Sequence, residues 1–294
     1  MTPITGSIVA LATPMQNDGS VDYPTLRKLI DWHIAEGTDC ICVVGTTGES
    51  PTVNVEEHCE IIRVSVEHAR GRVPIMAGAG GNATAEAIEL TRYAKKVGAD
   101  CSLQVVPYYN KPTQEGLYQH YKAIHDAAEL PIIIYNIPGR CVIDMSVATM
   151  ARLAKLPNIV GVKDATADLA RPLRTRVEIG PEFCQLSGED ATVTAFLAQG
   201  GVGCISVTAN VAPAQCAALH DAWKAQDLET VWRLRDRLMP LHDALFVETS
   251  PGPVKYAASL LGLCSAETRL PLAPVTDHTR STVREALIKA GVLV

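Results

Sequence analysis

The chain has 294 residues, 47% of them hydrophobic, enough apolar material for one large domain or one large plus one small. Twenty-six basic side chains stand against 32 acidic ones, a formal net charge of −6. The basic residues are scattered, which argues against a nucleic-acid surface, and no apolar run approaches the roughly 20 residues a membrane span needs.

The first residues lead almost directly into an apolar strand at 7–12, with no charged leader and apolar core of a secretory signal. A helical pattern follows at 23–36, then a strand at 40–44 and a helix at 55–69. The alternation continues with a strand at 74–78, a helix at 83–96, a strand at 101–106 and a helix at 116–128. In the 83–96 helix, Ala87, Leu90, Ala94 and Val97 follow the three-to-four spacing of one buried face. Strands at 131–136, 159–164, 183–187 and 203–207 alternate with helices at 146–156, 191–199 and 213–224. Gly37, Gly98 and Gly200 stand where helices stop, as C-terminal caps do. After Lys224 the strand pattern ends, and three helical stretches follow, with proline-rich joints at 251–253 and 271–274.

Eight strands alternating with helices predict a parallel sheet, and eight is the number at which such a sheet closes into a (β/α)8 TIM barrel. The expected layout is a catalytic barrel over residues 1–225 and a small helical appendage over 226–294, without a catalytic signature of its own. A doubly wound sheet is the structural alternative, but Gly78-Ala79-Gly80-Gly81-Asn82 has the wrong glycine spacing for a dinucleotide fingerprint. The nine cysteines form no CxxC pair and lie mostly within apolar patterns, so a reducing cytoplasm is expected.

Chemistry in such a barrel collects where strands run into the following loops. Seven histidines (33, 58, 68, 120, 125, 220 and 242) fall in helical patterns and His278 in a late loop, leaving none at a strand end. With no GxSxG elbow either, a Ser/His/Asp hydrolase and a histidine-bound zinc are disfavoured. Glu49, Asp164, Glu189 and Asp190 stand at strand ends, but no two share a tight metal-binding motif, and each reads equally as a capping or supporting group.

The remaining groups are an amine, hydroxyls and a guanidinium. Lys163 ends the strand Ile159-Val160-Gly161-Val162, and a lysine in a buried strand either finds an anion or loses its proton. A neutral amine attacks a ketone to form a Schiff base. The plain alternative is a lysine that snorkels from the strand end or pairs with Asp164. Thr46 and Thr47 in Gly45-Thr46-Thr47-Gly48 offer hydroxyls and open backbone amides to a small carboxylate, or form an ordinary polar turn. Tyr135 ends an apolar strand as a proton carrier or as a core tyrosine with a wet tip. Arg140 grips a carboxylate or is a solvated surface charge.

These residues sit in motifs of a known family. Gly45-Thr46-Thr47-Gly48-Glu49-Ser50, Pro107-Tyr108-Tyr109-Asn110-Lys111-Pro112, Tyr135-Asn136-Ile137-Pro138-Gly139-Arg140 and Gly161-Val162-Lys163-Asp164 resemble the bacterial dihydrodipicolinate synthases of the pyruvate-aldolase barrel superfamily. The likeness runs from Gly6 to the C-terminus, including Ser206-Val207-Thr208-Ala209-Asn210 and Pro253-Val254-Lys255-Tyr256. It implies that Lys163 forms the Schiff base with pyruvate and that Tyr135 relays protons with Thr46, Thr47 and Tyr109. It also implies that Tyr109 reaches into a neighbouring subunit's site, in a homotetramer built as a dimer of dimers. Thr47, Ile205 and Gly188 match substrate contacts, and Arg140 matches the residue that binds the carboxylate of aspartate semialdehyde. No metal or organic cofactor is implied. Pro51, His58, Asn82, Glu86 and Tyr108 fall at the positions of a feedback site for lysine, where Val55 departs from a histidine of several inhibited enzymes. Cys141 replaces a common threonine, a change of local packing. The alternatives are an aldolase for a 2-keto-3-deoxy sugar acid or N-acetylneuraminate, and a non-catalytic metabolite-binding paralogue.

Overall fold

The structure is a computed structural model and describes residues 4–293. The expectation about a leader concerns the first residues and lies partly outside that range. Eight parallel strands close into one barrel in chain order: β1 (Gly6–Ala10), β2 (Cys40–Val43), β3 (Ile75–Gly78), β4 (Cys101–Val105), β5 (Ile132–Asn136), β6 (Ile159–Asp164), β7 (Cys184–Ser187) and β8 (Gly203–Ser206). β8 pairs with β1, so the closed barrel holds and the open-sheet alternative falls. Asn210 laces this seam, accepting from the Ala12 amide at 2.8 Å and donating to the Ala10 carbonyl at 2.8 Å.

Alternation along each strand decides what faces inward. Ile8, Cys42, Met76, Ile133, Tyr135, Leu186 and Ile205 fill the barrel. Ile132, Ile134 and Val162 face the surrounding helices instead. With Val162 turned outward, Lys163 turns into the barrel.

The helices of the barrel are α1 (Tyr23–Ala35), α2 (Val55–Ala69), α3 (Thr84–Val97), α4 (Gln114–Ala127), α5 (Pro138–Cys141), α6 (Val147–Leu153), α7 (Arg171–Ile179), α8 (Val193–Ala198) and α9 (Pro213–Lys224). α2 starts where Asn54 and Glu57 form a capping box, each satisfying the other's backbone amide. α5 is a single short turn of helix that carries Arg140. α7 has no counterpart among the expected helices, because its pattern is inverted. Its apolar Leu173 and Val177 are exposed, while Arg171, Pro172 and Thr175 are buried.

The C-terminal region supplies α10 (Leu228–Ala244), α11 (Gly252–Leu260) and α12 (Asp277–Lys289). Pro253 stands in the first turn of α11, where a missing N–H is tolerated, so the first proline joint runs into the helix. His278 lies in α12 rather than in a loop, since Thr276 caps that helix by accepting from the Thr279 amide. Leu234, Leu238, Leu241, Val254, Val283 and Leu287 join Val9, Ile30 and Leu219 in one hydrophobic cluster. Barrel and appendage therefore share a core. Among the described residues no helix is long and apolar enough to cross a membrane.

Candidate active site

The loop after β2 carries the two threonines. Val44 enters it at φ 51° and Glu49 leaves it at φ 61°, both in the left-handed region. A β-branched residue is rare there, and each such position costs on the order of 1–3 kcal/mol unless its surroundings enforce it. Enforcement is visible. The Glu49 amide donates to the Thr46 carbonyl at 3.1 Å, the Ser50 amide to Gly45 at 3.2 Å, and the Thr13 hydroxyl to the Gly48 carbonyl at 2.7 Å. On β3, a Cβ on Gly78 would stand 2.3 Å from the Val44 carbonyl oxygen, so only glycine fits beneath the loop.

Lys163 is 6% exposed, and its Nζ lies 4.1 Å from the centroid of the Tyr135 ring on the adjacent strand. Asp164 points to the opposite side and pairs with Arg171 at 3.1 Å, so the sequence neighbours do not pair with each other. Arg171 also pairs with Asp144 at 3.1 Å and donates to the Met145 carbonyl. Burial raises the Asp164 carboxyl above its usual range, against the lowering effect of its Thr166 hydrogen bonds and of Arg171. Among the described residues no carboxylate comes within ion-pair distance (4.0 Å) of the Lys163 amine. Gly188 gives that side chain its room: a Cβ there would stand 2.7 Å from Ala165 Cβ and 3.1 Å from Lys163 Cε.

The cavity above Lys163 brings together Thr46, Thr47, Tyr135, Arg140 and Gly188, with Cys42 and Glu189 in its wall. Burial pushes the Cys42 thiol up to about 11, which leaves it protonated and inert. Burial also raises Glu189, and the charge of Lys163 works in the other direction. A second lobe, sharing Thr46, Tyr135 and Arg140, runs past Val44 and Ser50 to Pro51 and Tyr108.

Two expected residues lie elsewhere. Ile205 packs beneath the cavity with Cys42, Leu103 and Tyr135, and Val207 lines the wall above it. Tyr109 is 91% exposed at φ 60° and is not part of its own chain's cavity wall. Of the expected effector residues, Pro51 and Tyr108 line the second lobe. His58 Nε2 lies 2.5 Å from the Gly78 carbonyl, and burial lowers its pKa. Asn82 accepts from the Tyr108 amide at 2.9 Å, while Glu86 is exposed on α3 and Val55 is exposed at the start of α2. Cys141 is buried in α5.

Three strand-end carboxylates are engaged with protein groups. Glu49 meets Lys255 at 2.7 Å, Asp164 meets Arg171, and Asp190 accepts from Ser206 Oγ at 2.5 Å and from the amides of Val207 and Thr208. Sequence reasoning also missed Phe246 and Ser250, which bring the C-terminal region to the cavity mouth. The Ser250 carbonyl accepts from Arg140 Nη2 at 3.3 Å. The only signal in the sequence was a phenylalanine standing just past the end of a helical pattern.

A model of the dihydrodipicolinate synthetase family matches residues 3–290. A 4-hydroxy-tetrahydrodipicolinate synthase of Rhodospirillum centenum is 69% identical over 288 residues, 98% of this chain and 99% of the relative. The chloride-inhibited dihydrodipicolinate synthase of Acinetobacter baumannii, solved in complex with pyruvate, is 48% identical. It superposes with a TM-score of 0.96 over 99% of this chain and 100% of that one. The enzyme of Cyanidioschyzon merolae with lysine bound is 40% identical, with a TM-score of 0.96 over 99% of each chain. With its closed barrel and a buried lysine at the end of the sixth strand, the chain belongs to the dihydrodipicolinate synthetase family.

Proposed function

We propose that Lys163 is the reacting amine in this chain's activity, the condensation of pyruvate with L-aspartate 4-semialdehyde to 4-hydroxy-tetrahydrodipicolinate. That is a lyase reaction at the branch point of diaminopimelate and lysine synthesis, and the names of the relatives favour it over a sugar-acid or N-acetylneuraminate aldolase. The observation that carries the assignment is the buried amine, without a carboxylate partner among the described residues, beneath a cavity walled by hydroxyls and Arg140.

The Lys163 amine adds to C2 of pyruvate, and loss of water leaves an imine. A proton then leaves C3 to give an enamine, whose carbon adds to the aldehyde of the second substrate. The new alkoxide takes a proton. The amino group of that substrate next attacks C2, closes the ring and expels Lys163. Tyr135, packed against the amine, moves protons with Thr46 and Thr47. Thr47, Gly188 and Ile205 shape the pyruvate end, and Arg140 takes the semialdehyde carboxylate. The protonated imine is itself the electron sink, so the scheme draws on no metal or organic cofactor. Residues 1–225 carry the reacting groups, and 226–294 shape the mouth. Nine free thiols suit a reducing cytoplasm. Borohydride trapping with pyruvate, followed by peptide mass spectrometry, is expected to place a reduced pyruvyl adduct on Lys163. Label on another lysine, or none, would remove this assignment.

The exposed phenol of Tyr109 suits a relay completed by a second copy of the chain, in a tetramer built as a dimer of dimers. Pro51, His58, Asn82, Glu86 and Tyr108 suit a zwitterionic effector such as lysine beside that junction. Sedimentation during turnover is expected to find no active monomer, and added L-lysine to slow the oligomer. A monomer working at full rate would sink both readings.

A further inference from the structure

Lys255 and Glu49 form an ion pair in which both side chains are fully buried, with Nζ 2.7 Å from Oε1. They stand 206 residues apart, Glu49 at the exit of the threonine loop and Lys255 in the first half of α11. The second carboxylate oxygen, Oε2, accepts from the Arg269 amide at 2.9 Å. Both oxygens of Glu49 are therefore held by the C-terminal region.

A buried ion pair is a poor way to gain stability, since apolar side chains of equal volume do as well or better. What it supplies is direction. The loop it holds begins and ends on left-handed residues, Val44 and Glu49, so local preference does not keep it in place. Thr13 takes the Gly48 carbonyl from the β1 side, and the Lys255–Glu49 pair takes the next residue from the α11 side. Between these two anchors and the Gly78 floor lie Thr46 and Thr47. The same C-terminal region lines the mouth through Phe246 and Ser250.

We propose that Lys255 and Glu49 are positioning residues for catalysis, holding Thr46 and Thr47 at the angle proton transfer requires. This rests on the reading of those threonines as proton carriers. Hydroxyls displaced by a fraction of an ångström lose rate without losing the binding pocket.

The test compares Lys255→Met, Glu49→Gln, Thr13→Val and Thr47→Val, each assayed where circular dichroism shows it folded. Lys255→Met and Glu49→Gln are expected to lower kcat and the rate of borohydride trapping about tenfold or more, with a much smaller change in KM for pyruvate. A purely structural pair would lower Tm and leave kcat alone, and that result overturns the proposal. Thr13→Val leaves the ion pair intact but frees Gly48, so it serves if the charge variants do not fold. It too is expected to lose kcat, and wild-type kcat there overturns the proposal. If Thr47→Val keeps full activity, the reading of the threonines fails first. If it is crippled while the folded ion-pair variants are not, the positioning role alone fails.

Discussion

Replacing Lys163 with alanine is expected to lower turnover by at least about 10⁴-fold while the protein stays folded. Among the described residues no other group in the cavity supplies a nucleophilic amine: Arg140 is a guanidinium and Cys42 a protonated thiol. Lys163→Arg is expected to be as inactive, since a guanidinium keeps its proton and cannot form the imine. The fold should survive because Lys163 anchors little. Its visible attachment is the contact with the Tyr135 ring at 4.1 Å. Removing a buried amine that lacks a carboxylate partner offsets that loss. Steady-state kinetics with both substrates and a thermal melt check the pair of statements. Activity within about tenfold of wild type would end the Schiff-base assignment.

Arg171→Met is expected to cost about 3–5 kcal/mol of stability at neutral pH, a large share of what holds a folded chain together. The arginine pairs with Asp164 and Asp144 and donates to the Met145 carbonyl, while Asn136 ties the same segment through Asp144 at 2.7 Å. Removing the cation leaves Asp164 buried and charged. The loss should depend on pH, and its sign follows from Asp164. Burial already raises that carboxyl above its ordinary value, and the variant raises it further by losing the charge that lowers it. A group with a raised folded pKa favours the folded state in its protonated form. That contribution is fully present below the ordinary carboxylate pKa and is lost as pH rises through the folded one. The deficit of the variant is therefore largest near neutrality and shrinks as the solution becomes acidic. Urea unfolding of both proteins across that range checks it, and a deficit of constant size would contradict the account.

Where the sequence was legible, the information was local. The start of α2 matched because its capping box lies within four consecutive residues. Lys163 stood out because a cation in an apolar strand is a conflict that the local sequence leaves unresolved. α7 went unread because its apolar residues face away from the core, which reverses the pattern on which helix reading depends. The engagement of Glu49 and Asp190 was out of reach for another reason. Their partners lie 206 and 220 residues away for Glu49 and 16 to 18 away for Asp190, on different elements. Such a link exists only after the barrel has closed. Tyr109 marks a third limit, since nothing local in the sequence says what an exposed phenol does.

Beneath Lys163 the barrel is solid: Ile8, Met76, Leu186 and Ile205 are at most 1% exposed. The amine thus sits above a closed floor, so whatever reaches or leaves it does so on the strand-end side of the barrel. A blind-ended barrel makes traffic to the amine one-sided by geometry, before any difference in affinity acts.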